Sequence, residues 1–174
     1  AVQLRTSKLR PIRVTLHRRS FPWLSKSPAL HTPASRQPRP RLVRVCVDQG
    51  SGVAIIELND PKRSNTISDE LSEDMVNVVG NLRARRGLCA MVLQGAGAHF
   101  CVGGNPYAHR DKLPRAVLAK KLRSGLAGFV QLRALPIPVV CAVHGKLIGG
   151  GVAACLNADY IVADSMATFE HGNL

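Results

Sequence analysis

The chain contains few aromatic residues and lacks several features that would place it in other protein classes. Phe, Trp and Tyr make up 4% of its 174 residues. No run of about 18 apolar residues occurs, so we expect neither a transmembrane helix nor a membrane partner. The five cysteines form no Cys-x-x-Cys pair. Without a ligand cluster of suitable spacing we expect no metal site, and scattered cysteines in apolar stretches are typical of buried thiols.

Acidic residues are absent from the first 47 positions. Residues 1–44 contain eleven Lys and Arg and no acid, whereas residues 45–174 contain thirteen against eleven acids. The net charge of +13 therefore belongs to the N-terminal segment. Residues 1–41 are also rich in Ser and Pro and have no helical or strand period, which predicts a disordered basic extension. An organelle transit peptide has the same composition, so mitochondrion, plastid and cytoplasm stay open as locations.

The basic segment also raises nucleic-acid binding as a function. Single-stranded nucleic acids are usually held by several aromatic side chains on which bases stack. Only Phe21 and Trp23 interleave the charges of residues 1–41. We therefore expect no nucleic-acid partner.

From Leu42 onward, periodic apolar segments predict an α/β domain over residues 42–174. Two apolar runs flank a turn at residues 49–52 and predict a hairpin. Ser68 can cap a helix with apolar residues at helical spacing, and Gly87 is its expected end. The remaining pattern predicts strands at 89–93, 138–143 and 160–163, and helices at 113–133 and from 149.

Two glycine-rich segments, residues 99–105 and 144–151, each follow or extend an apolar strand-like run. Glycine lets a ligand approach the backbone closely. Two such turns can aim one N–H group each at a single point, which is the minimal apparatus for holding an enolate or another oxyanion. Gly150 also opens a predicted helix, whose first N–H groups favour negative charge.

Several ordered motifs strengthen this interpretation. They are Asn59 to Ile67, Val92 to Gly97, Phe100 to Gly104, Leu135 to Gly145 with Gly149 to Gly151, Ala158 to Ala163, and Ala167 to Glu170. Together they resemble the N-terminal half of the crotonase, or enoyl-CoA hydratase/isomerase, superfamily. The resemblance implies a crotonase-like ββα superhelix. Members of that family are considerably longer, so we expect a domain truncated at its C-terminus, a fragment whose full-length form is a homotrimer or hexamer.

The resemblance also implies which residues form the site. The N–H groups of Gly104 and Gly150 correspond to the oxyanion donors. The loop from Lys62 to Thr66 matches the segment that contacts coenzyme A in the family. The substrate-binding positions implied in this way are Lys62, Ser64, Thr66, Val102, Gly103, Gly104, Asn105, Gly150, Ala153 and Asn173.

Two positions depart from the family pattern. Hydratases of the family use two glutamates as general acid and base, and here those positions hold Ala153 and Asn173. Neither side chain transfers a proton as a carboxylate does. His171 is then the candidate proton-transfer residue, since an imidazole titrates near neutral pH. This predicts decarboxylase-like or isomerase-like chemistry, as in the crotonase-fold decarboxylases of polyketide β-branching cassettes.

The expected substrate is an acyl thioester, carried either by coenzyme A or by an acyl carrier protein. We expect no separate cofactor, because coenzyme A or phosphopantetheine would be part of the substrate. The alternative function is a non-catalytic acyl-CoA-binding or scaffold homologue. Ala153 and Asn173 favour that alternative, as does the absent C-terminal half.

Overall fold

The computed structural model describes residues 39–104 and 114–171. The strands are β1 Val43–Val47, β2 Val53–Leu58, β3 Ala90–Gly95, β4 Val139–Val143, β5 Lys146–Ile148, β6 Tyr160–Ala163 and β7 Thr168–Glu170. The helices are α1 Asp69–Arg83, α2 Arg115–Val130 and α3 Gly150–Cys155, with short 3-10 turns at Pro61–Arg63 and Gln131–Ala134. None of the helices in this part of the chain has the length and hydropathy that crossing a bilayer requires.

The hairpin predicted at the start of the domain is present. Strands β1 and β2 pair antiparallel along the whole of β1. Asp48 closes the turn, because its carboxylate accepts hydrogen bonds from Gly50 N and from Ser51 N and Oγ at 3.2, 3.2 and 2.6 Å. Gly52 leaves the turn at φ +69°, a conformation that glycine adopts readily.

The main sheet has five strands in the order β1-β2-β3-β4-β6, and all its pairs after β1-β2 are parallel. Parallel neighbours require crossover connections, and here helices supply them. Helix α1 lies between β2 and β3 in the chain, and α2 lies between β3 and β4. Strands β5 and β7 form a second, two-stranded parallel sheet. The predicted α/β class is thereby confirmed.

Helix α1 begins as predicted and ends earlier. The Ser68 hydroxyl accepts a hydrogen bond from Leu71 N at 3.2 Å and caps the first turn. The helix ends at Arg83, so the expectation that it runs to Gly87 is wrong. After it, Arg85 N bonds to Leu82 O at 3.0 Å, a tighter turn that removes Arg85 from the helix.

Helix α2 lies inside the predicted range 113–133. It ends at Val130 and is followed by the 3-10 turn that ends at Ala134. Pro136 and Pro138 follow closely, and proline cannot continue a helix. Residue 113 falls outside the described residues.

At the start of the described residues, Arg39 forms an ion pair with helix α1. Its guanidinium donates to both carboxylate oxygens of Asp74 at 3.0 and 3.1 Å, and Leu42 N donates to the same carboxylate at 2.8 Å. Asp74 thereby ties the entry into β1 to helix α1. The predicted extension covers residues 1–41, and residues 1–38 of it lie outside the described residues.

The core lies on one face of the main sheet. Alternate residues of β2, β3 and β4 are buried there and form one cluster with buried residues of α1 and α2, among them Ile56, Leu93, Cys141, Met75 and Phe129. The intervening strand residues are only half-buried. Edge strand β6 is exposed at all four positions.

Two helical glycines should respond in opposite directions to alanine. A Cβ at Gly128 of α2 would lie 2.7 Å from Met75 Cγ and from Val76 N of α1, whereas one at Gly80 of α1 meets nothing within 4 Å. Gly128→Ala should therefore lower the free energy of unfolding by about 1–3 kcal/mol through overpacking. Gly80→Ala should raise it by about 0.5–1 kcal/mol. Urea denaturation measures both, and equal effects would contradict the close approach of α2 to α1.

Candidate active site

The first glycine-rich turn is held against strand β5. Phe100 is fully buried, and its N–H donates to His144 O at 2.9 Å. Cys101 N donates to Lys146 O at 3.3 Å, and Ile148 N donates back to Cys101 O at 3.0 Å. These bonds lay the turn alongside β5 and direct the following glycines toward the start of α3.

Gly103 is the point where the two glycine-rich segments meet. Its φ is +79°, and a Cβ there would lie 2.5 Å from Ile148 O and 2.8 Å from Gly150 N. No side chain fits at that distance, and the left-handed φ further favours glycine. The backbone of residue 103 therefore packs directly on the first residue of α3.

The candidate donors Gly104 and Gly150 lie next to each other as a result. A Cβ built on Gly150 would lie 3.4 Å from Gly104 N, 3.6 Å from Gly103 Cα and 3.5 Å from Ile67 Cδ1. Neither Gly104 N nor Gly150 N donates to an acceptor within the described residues. Around Gly104, a Cβ would meet no atom of the described residues within 4 Å. Two N–H groups without an acceptor in the described part of the chain thus lie side by side, and the Ile67 side chain borders them.

The candidate carrier-binding loop lies beside the same turn. Residues 61–63 form a 3-10 turn, and Ser64 follows with a left-handed φ of +51°. Ser64 O accepts a hydrogen bond from Val102 N at 3.2 Å. Thr66 Oγ1 is engaged with Arg63 O at 2.6 Å, so its hydroxyl serves the loop itself.

The two cations of this loop differ in their surroundings. Arg63 Nε donates to Asp60 Oδ2 at 2.6 Å, so its charge already has an acidic partner. Lys62 is exposed and has no acidic partner within residues 39–104 and 114–171. Lys62 is therefore the better placed of the two to meet a phosphate.

The other predicted site residues are placed less closely or lie outside the described residues. Ala153 is half-buried in the first turn of α3, three residues after Gly150. His171 directly follows β7 and is exposed. Asn105 and Asn173 belong to stretches that the structure does not describe. Among the described residues, no group of three His, Cys, Asp or Glu side chains could hold a metal ion.

Sequence reasoning missed Asn65, although it lies between the two predicted substrate contacts Ser64 and Thr66. Asn65 is fully buried, and its side chain bonds to backbone atoms of the 96–100 segment. A single Asn in a polar loop usually indicates a turn. What distinguishes Asn65 from an ordinary turn residue is its contact with the 96–100 segment, which lies more than thirty residues away in the chain.

Cys101 lies beneath the same turn and should be unreactive. Its Sγ donates to Asn65 O at 3.1 Å. Burial raises the pKa of the Cys101 thiol from 9.0 to about 11, although the Gly103 N–H bond to its sulfur opposes the change. At pH 8, iodoacetamide should modify the exposed Cys89 and leave Cys101 unmodified until the protein is unfolded. Rapid native alkylation of Cys101, read by mass spectrometry, would contradict this.

The same shift predicts how stability depends on pH. Because the folded-state pKa of the thiol lies above the unfolded value, its contribution is complete below about pH 9. The contribution is then lost as the pH rises toward 11. Urea denaturation at pH 8 and pH 10.5 should show this loss, and Cys101→Ala should reduce it.

Comparison with known proteins supports the same family. Residues 48–173 match the family model described as enoyl-CoA hydratase/isomerase. The chain is 30% identical over 123 residues to the 1,2-epoxyphenylacetyl-CoA isomerase of Escherichia coli, covering 68% of this chain and 46% of that one. It is 28% identical over 131 residues to the short-chain-enoyl-CoA hydratase of Clostridium acetobutylicum, covering 74% and 49%. The chain thus spans about half the length of these curated relatives.

Solved structures agree with the fold. An enoyl-CoA hydratase from Polaromonas aligns with a TM-score of 0.65 at 27% identity, covering 73% of this chain and 49% of that one. An enoyl-CoA hydratase from Bacillus anthracis aligns with a TM-score of 0.66 at 24% identity, covering 74% and 49%. The family match covers most of the domain, including both glycine-rich segments. The chain therefore belongs to the enoyl-CoA hydratase/isomerase family.

Proposed function

We propose that the chain binds an acyl thioester and stabilises its enolate between the N–H groups of Gly104 and Gly150. The observation that carries the proposal is the adjacency of these two donors, neither of which has an acceptor among the described residues. Preorganised N–H groups aimed at a developing oxyanion commonly lower the barrier of such reactions more than any other single effect. The names of the E. coli and C. acetobutylicum relatives, both CoA-thioester enzymes, point to the same substrate class.

We propose decarboxylation or isomerisation rather than hydration. In a decarboxylation, the bond from the α-carbon to the carboxylate breaks, carbon dioxide leaves and the electron pair passes into the thioester enolate. No side-chain base is required for that step, whereas addition of water needs a group to activate it. Ala153 supplies no such group on α3. In an isomerisation a proton must first be removed from carbon, so His171 is the candidate both for taking that proton and for returning one.

We propose that the candidate carrier-binding loop, residues 62–66, contacts the carrier of the acyl group. Lys62 is exposed there without an acidic partner within the described ranges, so it can meet a phosphate of coenzyme A or of a carrier protein's phosphopantetheine. That group enters as part of the substrate, so the proposal includes no separate cofactor. A homotrimer or hexamer is proposed for a full-length form only.

A second candidate is a non-catalytic acyl-CoA-binding or scaffold protein. It is favoured by Ala153, because a donor pair without a proton-transfer group can bind a thioester without turning it over. Both candidates require thioester binding, and only the first requires enolate formation.

Acetoacetyl-CoA separates these possibilities, because its enolate absorbs in the near ultraviolet and the bound keto form does not. The first candidate predicts saturable binding with a rise in enolate absorbance at constant pH. The second predicts binding, measured by calorimetry, without that rise. The affinities for free coenzyme A, which lacks the acyl thioester, and for acetoacetyl-pantetheine, which lacks the nucleotide, show which of the two parts accounts for binding. A chain that binds none of the three at millimolar concentration would contradict both candidates.

A further inference from the structure

The Asn65 carboxamide lies at the centre of the polar contacts beneath the first glycine-rich turn. The two hydrogens of its Nδ2 are shared among Ala96 O, His99 O and Phe100 O at 2.9, 2.9 and 3.1 Å. Its Oδ1 accepts from Asp60 N at 2.8 Å. Three carbonyl oxygens on one side and an N–H group on the other fix the orientation of the amide.

Residues 64–67 also pair with the turn through their backbone. Val102 N donates to Ser64 O at 3.2 Å, and Ile67 N donates to Gly103 O at 2.8 Å. Between them, the Cys101 thiol donates to Asn65 O at 3.1 Å. Each residue from Phe100 to Gly103 is thus bonded to a residue of the 64–67 segment.

The backbone of Asn65 is shaped for this contact. Its φ is +55°, which is uncommon for a residue other than glycine but tolerated by Asn. The residue is fully buried, so its polar atoms have no access to solvent. A buried polar group with all its bonds made rigidifies its surroundings, and the same group with bonds missing is costly.

We propose that Asn65 is a positioning residue for the oxyanion site. Its carboxamide holds the 96–100 segment, which sets where Gly103 packs on Gly150 and hence where the N–H of Gly104 lies. Through its bond from Asp60 N, the same side chain connects the candidate carrier-binding loop to that segment. The inference rests on the proposed function for its catalytic meaning, but the geometric claim stands independently.

The test compares the chain with Asn65→Ala, Asn65→Asp and the matched control Asn59→Ala. Asn59 Nδ2 also donates to a backbone carbonyl, Arg41 O at 3.2 Å, in the adjoining turn, and none of its side-chain bonds reaches the 96–104 segment. Two measurements are made below each variant's unfolding temperature. Amide spectra report the surroundings of Gly104 and Gly150 without ligand. The enolate absorbance of acetoacetyl-CoA reports stabilisation of the oxyanion.

Asn65→Ala should move the Gly104 and Gly150 amide signals and reduce enolate formation by about 10- to 100-fold, since a misplaced site commonly loses that much. Its affinity for butyryl-CoA, which lacks the acidifying β-carbonyl and stays in the keto form, should change by less than about threefold, because a displaced donor weakens the enolate more than the neutral thioester. Asn59→Ala should leave the amide signals, the enolate yield and the butyryl-CoA affinity, which is measured in addition, unchanged.

Asn65→Asp provides a second route should Asn65→Ala fail to fold. A carboxylate facing three carbonyl oxygens in a buried site is disfavoured, so its pKa should rise. The protonated acid can donate one hydrogen bond, so enolate formation relative to the unchanged chain should improve as the pH falls. A structural defect alone would not produce that recovery in the relative signal.

The outcomes separate the two claims. If the unchanged chain yields no enolate, the proposed function fails, and the ligand-free amide signals alone decide the positioning claim. The positioning role is overturned if the Gly104 and Gly150 signals and the enolate yield are kept by a folded Asn65→Ala protein, or by a folded Asn65→Asp protein at a pH where its carboxylate is ionised. Shifts of the same size in Asn59→Ala would also overturn it, because they would show a general response of the loop.

Discussion

Gly150→Pro should reduce the enolate yield of bound acetoacetyl-CoA by at least about 10²-fold, the usual effect of removing one oxyanion donor. Proline has no N–H, so the change deletes one of the two unused donors beside Gly104. Gly150 is the first residue of α3, the helix position that tolerates proline best. The preceding Gly149, at φ +50° and ψ −110°, lies outside the helical region that proline disfavours for its neighbour.

Gly150→Ala is the matched control. It keeps the N–H, and its methyl group would make only ordinary contacts, the nearest at 3.4 Å from Gly104 N. We expect its enolate yield to fall by less than about tenfold, because the methyl narrows the site without removing a donor. Circular dichroism and thermal unfolding establish that both variants fold. Equal enolate yields in the two folded proteins would show that Gly150 N is not a donor and that the glycine run serves packing alone.

The strands follow from local signals in the sequence, whereas the meeting of the two glycine-rich segments depends on how those strands pair. The segments extend β3 and β4, which are parallel neighbours, and equivalent ends of parallel strands lie at the same edge of a sheet. Glycine is required at position 103 because a side chain there would collide with backbone atoms of Ile148 and Gly150. Those residues are more than forty positions away in the chain, so local sequence patterns do not predict the contact. The family resemblance supplied that pairing where periodicity could not.

Of the two features that escaped prediction, one depends on partners distant in the chain and the other on a local turn. Asn65 resembles any turn residue until the carbonyls of the 96–100 segment are placed around it. Helix α1 stops at Arg83 rather than at Gly87 because a tighter turn at Leu82 removes Arg85 from the helix, and arginine has good helix propensity. Propensity alone therefore extends the helix too far.

Crotonyl-CoA hydration by this chain should be at least about 10²-fold slower than by a family member that has both glutamates, measured side by side. One positioned acid or base contributes about 10²–10⁴-fold, and the family resemblance implies that Ala153 and Asn173 stand where both would be. The rate is read from the loss of enoyl-thioester absorbance after binding of crotonyl-CoA has been verified by calorimetry. Binding without hydration is the expected result, and hydration at the rate of the reference enzyme would contradict the decarboxylase-like or isomerase-like proposal.

Ala153→Glu tests whether the missing carboxylate is the cause of that deficit. Residue 153 lies three positions after Gly150 in α3, so the two share a helix face, and its half-buried position leaves a longer side chain a route to the open side. Hydration should rise by about tenfold or more and should grow further with Asn173→Glu, because acid and base act together. Leu156→Glu, at an exposed position just after α3, adds the same charge away from Gly150 and should have no effect. An equal gain from Leu156→Glu would assign the increase to charge alone, and no gain from the double variant would mean that more than proton transfer separates this chain from a hydratase.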